Sequence, residues 1–160
     1  MVRPMTDGDR ERVLDIIRST GMFTADEFRV AAELIDITLD QPGQRDYAVV
    51  VVEDEDGRVA GYMTYGPTPL TDGTYDLYWM AVSPGHQGRG YGRALVEWLE
   101  GRVKEEGGRM IIIETSSTPQ YDPTRRFYLG LHYTEVARIP DFYKPGDDRV
   151  IYAKRLVEGD

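Results

Sequence analysis

Seven residues, Gln87-Gly88-Arg89-Gly90-Tyr91-Gly92-Arg93, set three glycines and two arginines between an apolar run, Leu77 to Val82, and a helical pattern that begins near Gly90. The amides at a helix start have no intrahelical acceptor, and the helix dipole adds roughly half a positive charge there. Glycines let such a backbone close around a phosphate, so the stretch reads as an anion cradle. Spacing excludes two phosphate motifs. A nucleoside-triphosphate loop needs Gly-Lys-Ser/Thr at its end, which is missing. A dinucleotide fingerprint needs a third glycine where this chain has Arg93, counting from Gly88, or Leu95, counting from Gly90.

The elements around the turn follow from apolar periodicity and capping residues. A short strand around Val2 to Met5 precedes a helix with Asp7 as N-cap, whose stripe Val13, Leu14, Ile16 and Ile17 ends at Thr20-Gly21. Thr24-Ala25-Asp26-Glu27 is a capping box opening a second helix to about Leu39. Tyr47 to Val52 and Val59 to Tyr65 form a hairpin across the acidic turn at Glu53 to Gly57. After the loop Gly66 to Gly73, the strand Tyr75 to Val82 stops at Ser83-Pro84-Gly85, just before the glycine turn. The next helix carries Leu95, Val96, Trp98, Leu99 and Val103 inward and ends at Gly107-Gly108. Met110 to Ile113 reads as a strand buried on both faces, which makes a parallel pair with Tyr75 to Val82. Pro123 opens a short helix through Tyr128, ended by Gly130, and strands Tyr133 to Arg138 and Val150 to Leu156 are joined by the loop Pro140 to Asp148.

Composition narrows the class. The 160 residues, 41% hydrophobic and 29% charged, suit one domain over residues 1–160, with no repeat or linker to divide it. Without cysteine there is no disulfide, thiolate metal site or thiol nucleophile, and two histidines, His86 and His132, are too few for a His-rich metal centre. A formal charge of −9 with scattered arginines argues against nucleic acid and favours cationic or amine-bearing partners. The N-terminal residues have no apolar signal core, and no segment approaches a membrane span, so a cytoplasmic location and no membrane partner are expected.

Gln87 to Gly92 matches a QxxGxG pattern, with Met80-Ala81-Val82 ending the strand upstream and Arg126-Phe127-Tyr128-Leu129-Gly130-Leu131 downstream. In these motifs and in the order of elements, the chain resembles the GNAT family of N-acetyltransferases, although Leu131 stands where phenylalanine is more usual. The resemblance implies a single-domain α/β fold: a mixed, mostly antiparallel sheet of about seven strands flanked by helices. It also implies that acetyl-CoA is the cosubstrate and that no metal is required. By the same resemblance Gln87, Gly88, Arg89, Gly90, Tyr91, Gly92 and Arg93 bind its pyrophosphate. Arg89 and Arg93 either reach the 3′-phosphate or stay solvated. The backbones of Met80, Ala81 and Val82 would pair with the pantetheine arm.

The chemistry implied is direct attack of a neutral amine on the thioester, through a tetrahedral oxyanion polarised by amides near Met80 to Val82. Tyr128 matches the family's tyrosine that protonates the departing sulfur, and a phenol with an ordinary pKa near 10 is protonated at neutral pH. Asp76 aligns with the position where lysine-acetylating members carry a glutamate base, and period-two alternation puts it on one face with Tyr78 and Met80. It is read as base, directly or through water, or as a binder of the cationic acceptor; Glu114 and Ser116 are alternative relays. Such help matters most for basic acceptors, because an amine with pKa near 10.4 is neutral only about one part in a thousand at pH 7.5, and an α-amine about one part in three. The family's pantetheine-contacting asparagine, seven residues before Tyr128, is replaced by Tyr121; either its hydroxyl or that of Ser117 substitutes, or the contact is absent. Candidate acceptor lining is Phe28, Glu33, Tyr65, Tyr75 and Phe142-Tyr143. The acceptor is an unidentified primary amine on a small molecule, peptide or protein, and a homodimer is left open. The competing functions are a non-catalytic CoA-binding or sensing domain and a transferase using another acyl-CoA.

Overall fold

The apolar runs assemble into one seven-stranded sheet in the computed structural model, which describes residues 1–156. In chain order the elements are β1 (Val2–Pro4), α1 (Arg10–Thr20), α2 (Ala25–Asp40), β2 (Ala48–Glu53), β3 (Val59–Pro67), β4 (Thr74–Val82), α3 (Tyr91–Glu105), β5 (Met110–Ser116), α4 (Asp122–Gly130), β6 (Thr134–Lys144) and β7 (Asp147–Arg155). The strand order is β1-β2-β3-β4-β5-β7-β6, and among the described residues only β4 and β5 pair in parallel. The expected α/β fold with a mixed, mostly antiparallel sheet of about seven strands is the fold observed.

Helices cover both faces. On one, α1 and α2 bury Val13, Ile16, Ile17, Ala31 and Ile35 against Val49, Val51, Tyr62 and Ala81. On the other, Leu95, Val96, Leu99 and Val103 of α3 and Tyr128 of α4 pack on Val50, Met63, Leu77, Ile111, Ile113, Val150 and Tyr152. The capping box of α2 forms as expected: Thr24 Oγ1 accepts the Glu27 amide at 3.1 Å and Glu27 Oε1 accepts the Thr24 amide at 3.0 Å. At α1, Asp7 is not the cap. Thr6 heads a 3-10 turn, Asp7–Asp9, because the Asp9 carboxylate is drawn inward by Arg3 at 2.7 and 3.0 Å, by the Thr6 amide and by the Thr6 hydroxyl.

Two irregularities shape the centre of the sheet. β4 and β5 pair only from Thr74↔Met110 to Leu77↔Ile113 and then separate, leaving Tyr78 to Val82 and Glu114 to Ser116 without each other. Opposite this, β3 pairs Tyr65 with Leu77 but Thr64 with Trp79, so Tyr78 is a bulge residue. The extra residue reverses the parity of β4. Leu77 lies in the α3-side core and Ala81 in the α1-side core, with Met80 packed beside the former and Trp79 beside the latter. β5, expected to be buried on both faces, is buried on the α3 side only: Ile111, Ile113 and Thr115 are covered, while Ile112 is half-buried and Glu114 exposed. The diverging strands leave the other face open.

At the C-terminal edge, most of the segment read as the loop Pro140 to Asp148 is strand, β6 and β7 running to a tight turn at Lys144↔Asp147 with a bulge after Ile139. Asp141 makes this possible: at φ 55° its carboxylate accepts the Gly146 amide at 2.8 Å, and its own amide donates to Asp148 at 3.0 Å. Nor does Gly130 end α4 by its flexibility. The left-handed residue there is His132, φ 72°, and the Tyr133 amide returns to the Tyr128 carbonyl at 3.1 Å.

Candidate active site

The glycine turn sits at the mouth of the gap between β4 and β5. Gly90, the N-cap of α3, is left-handed at φ 88°, a conformation costly for residues with a Cβ. The first α3 amide with an intrahelical acceptor is Ala94, to Gly90 O at 3.0 Å, so the amides of Tyr91, Gly92 and Arg93 point out of the helix start unpaired. A methyl group at Gly92 would stand 3.3 Å from the Phe127 ring, so this glycine lets α3 approach α4. The two arginines differ. Arg93 is committed to Glu97 at 2.8 Å, whereas Arg89 is exposed and has no ion pair among the described residues.

Gln87 ties the turn to the strand, its Nε2 donating to the Val82 carbonyl at 3.2 Å. Successive residues of a strand present their backbone groups to opposite edges. Ser83 donates to Ala60 of β3 at 2.7 Å and Ala81 is in register with Tyr62, so Ala81 spends its backbone groups on β3. Met80 therefore presents both of its groups to the gap and Val82 its amide, the Val82 carbonyl being held by Gln87. A row of free strand groups leading to a nest of free amides fits a long polar arm ending in a pyrophosphate, and an extended CoA has that shape.

Tyr128 lies on the α3 side of the gap. Its side chain is 4% exposed, with rings of Phe127, Tyr133 and Tyr152 centred 5.2, 6.1 and 6.5 Å away. No hydrogen bond among the described residues engages its hydroxyl, and burial pushes the phenol well above its ordinary value, so it holds its proton. Arg125, one turn earlier, fastens α4 to the end of β5. Its guanidinium donates to the carbonyls of Ser116 at 2.6 Å and Thr118 at 3.1 Å and pairs with Asp122. Ser116 donates to Asp147 Oδ1 at 2.5 Å, and Ser117 Oγ accepts the Asp148 amide at 2.7 Å, locking β5 to β7. Sequence reasoning missed this clamp. Its one local signal is the Ser116-Ser117-Thr118 run before Pro119, which favours side-chain-to-backbone turns.

Asp76 lies on the opposite face. Because of the bulge it shares that face with Tyr78 but not with Met80, which corrects the expectation from alternation. Thr68 donates to Asp76 Oδ2 at 2.6 Å, and burial, then the Asp76 charge, pushes the Tyr78 phenol up to about 12. Glu114 and Arg149 form an ion pair on the same face, and the Arg149 guanidinium lies 4.8 Å from the Phe142 ring centre. Burial raises the Tyr143 phenol, with Glu114, Asp147 and Glu27 adding to the shift. Glu114 and Asp76 thus act on the Arg149 guanidinium, and Glu27 and Asp147 on the Tyr121 and Tyr143 phenols.

The other expected residues divide. Phe142 and Tyr143 edge this open face, but Tyr65 packs on Trp98 at 5.8 Å in the α3-side core, and Tyr75 reaches away to Glu106 at 2.8 Å. Phe28 and Glu33 line a groove along α2. The Tyr121 hydroxyl is committed to the Met22 carbonyl at 3.1 Å, joining the α1–α2 connection to the turn before α4, and Ser117 is engaged as described. The Tyr121 proton is thus spent on Met22, whereas Ser117 Oγ only accepts and keeps its own proton.

Comparison with known proteins finds a match to the family model described as Acetyltransferase (GNAT) family over residues 12–133. No curated protein matches. Among solved structures, a Desulfovibrio desulfuricans protein assigned to the GNAT acetyltransferases is 42% identical, with 98% of this chain and 99% of that one covered at a TM-score of 0.92. The ribosomal-protein-S18-alanine N-acetyltransferase from Escherichia coli shares the fold at 19% identity, TM-score 0.78, covering 100% of this chain and 96% of that one. A Salmonella typhimurium protein solved with acetyl-CoA as its cofactor does so at 22% identity, TM-score 0.73, covering 99% and 94%.

Proposed function

The chain belongs to the GNAT acetyltransferase family, and from that we propose that it transfers the acetyl group of acetyl-CoA to a primary amine, with both substrates held in one complex. The observation that carries this is the gap beyond Leu77↔Ile113, which opens the sheet between a buried phenol on one face and a carboxylate-rich surface on the other. A thioester lying in such a gap is approached by the amine from the open face, while its sulfur leaves toward the covered one.

Bound acetyl-CoA would supply the activated acyl carbon and a thiol leaving group. The amides at the start of α3 hold its pyrophosphate, and the edge groups of Met80 with the Val82 amide orient its arm. Tyr128 Oη keeps a proton at all physiological pH values and gives it to the departing sulfur. With Arg149 paired to Glu114, the Asp76 carboxylate on this face favours an acceptor that arrives as an ammonium ion. Asp76, held by Thr68, takes the amine proton directly or through one water.

The test is thiol release from acetyl-CoA across a panel of amines and peptides, with mass spectrometry of the acceptors. Amine-dependent release with an acetylated amine is expected. Acetyl-CoA binding without turnover would identify a non-catalytic sensor, and a faster reaction with propionyl- or succinyl-CoA would reassign the donor.

A further inference from the structure

Five buried side-chain atoms lack a hydrogen-bond partner among the described residues: Tyr62 Oη, Thr64 Oγ1, His86 Nδ1, Thr115 Oγ1 and Arg149 Nε. Burying a polar group unpaired is costly, so each calls for a reason. Two belong to groups anchored elsewhere: His86 holds Asp54 through Nε2 at 2.9 Å, and Arg149 pairs with Glu114. Tyr62 and Thr64 are neighbours on one face of β3, away from the gap's covered side. Thr115 is different, because its orphan hydroxyl belongs to the strand segment beyond the last β4–β5 pair, on the gap's covered side.

Thr115 is 5% exposed and in register with Val150 of β7, which places it on the α3-side face with Ile111, Ile113 and Tyr128. It stands two residues beyond Ile113, the last β5 residue paired with β4. At about 3.3 Å per residue that is roughly 7 Å into the gap. Its neighbour on the β4 side is therefore the gap itself, on the face that carries Tyr128. Valine has nearly the same shape and greater strand propensity, so packing alone gives no reason for a hydroxyl here.

We propose that the Thr115 hydroxyl is a positioning group for the acyl donor, donating a hydrogen bond to a carbonyl oxygen at the thiol end of the bound acyl-CoA. That carbonyl belongs either to the thioester or to the pantetheine amide nearest it. The proposal rests on the gap taking an acyl-CoA and is independent of which amine is acetylated.

The experiment compares wild type with Thr115→Val by thermal unfolding without ligand and by calorimetric titration with acetyl-CoA and with free CoA. Removing an unpaired hydroxyl leaves the unliganded melting temperature unchanged or higher, while acetyl-CoA affinity falls about tenfold, as for one lost hydrogen bond in a buried site. Loss toward acetyl-CoA alone identifies the thioester carbonyl; equal loss toward CoA identifies the amide. Thr115→Ser, which keeps the hydroxyl, binds within about twofold of wild type, and Thr115→Ala serves if the valine variant fails to fold. Wild-type binding that is unaltered in both Thr115→Val and Thr115→Ala overturns the proposal and leaves the function intact. Failure of wild type to bind either thiol compound overturns the function itself.

Discussion

Replacing Tyr128 by phenylalanine separates the fold from the chemistry. The ring is 4% exposed, and its packing on Phe127, Tyr133 and Tyr152 survives the change, because only the hydroxyl is lost. No described residue bonds that hydroxyl, so the variant should unfold within about 1 kcal/mol of wild type. For a domain of this size that corresponds to no more than about 4 °C in melting temperature. The rate should respond very differently. A positioned general acid contributes about 10²- to 10⁴-fold, equivalent to about 3–5 kcal/mol of barrier. Even an ordinary phenol is only about 1% ionised at pH 8, and burial raises this one further, so the proton is available throughout the physiological range. kcat for Tyr128→Phe should therefore fall at least a hundredfold at every pH from 6 to 9, with KM for acetyl-CoA changed less than about threefold. Steady-state thiol release at saturating amine measures both. A kcat within threefold of wild type, in a variant that unfolds normally, would show that the sulfur leaves without help from Tyr128.

Asp76→Asn should lower kcat/KM about a hundredfold for an acceptor amine with pKa near 10 and much less for one near 8, because the latter needs little deprotonation; equal losses for both would exclude a base role. Gly90→Val, at φ 88°, should raise KM for acetyl-CoA at least tenfold while costing about 1–2 kcal/mol of stability, read by steady-state kinetics and thermal unfolding. Acid sensitivity should be visible at Asp9, whose carboxyl the Arg3 guanidinium holds at about 2 rather than the ordinary 3.8. Because the folded value is the lower one, the gain of about 2 kcal/mol is complete above about pH 4 and fades as pH falls toward 2. The melting-temperature gap between wild type and Asp9→Asn should accordingly narrow across that window.

The covered face of the site and the open one differ in how far local sequence could describe them. The glycine turn, the capping box at Thr24 and the tyrosine of α4 are short-range devices, in which neighbours in the chain are neighbours in space. Their local geometry can be stated before any fold is known. The open face joins α2, β4, β5 and β7 across more than a hundred residues. Tyr65 and Tyr75, expected as lining from the family resemblance, turn to the other side because the pairing of β3 with β4 dictates their direction. Tyr121 is committed to Met22, 99 residues away, a contact that no periodicity announces.

What the sequence determined by itself is the order of elements, the glycine turn at Gln87 to Arg93 and the place of Tyr128 on α4, because caps, turns and helical stripes are set by residues a few positions apart. Only the tertiary structure decided the parity of β4, the open face of β5 and the pairing state of each hydroxyl. A bulge exists only relative to a partner strand. Tyr78 becomes the extra residue when β3 is laid beside it, and that one displacement assigns Asp76 and Met80 to opposite faces of the gap.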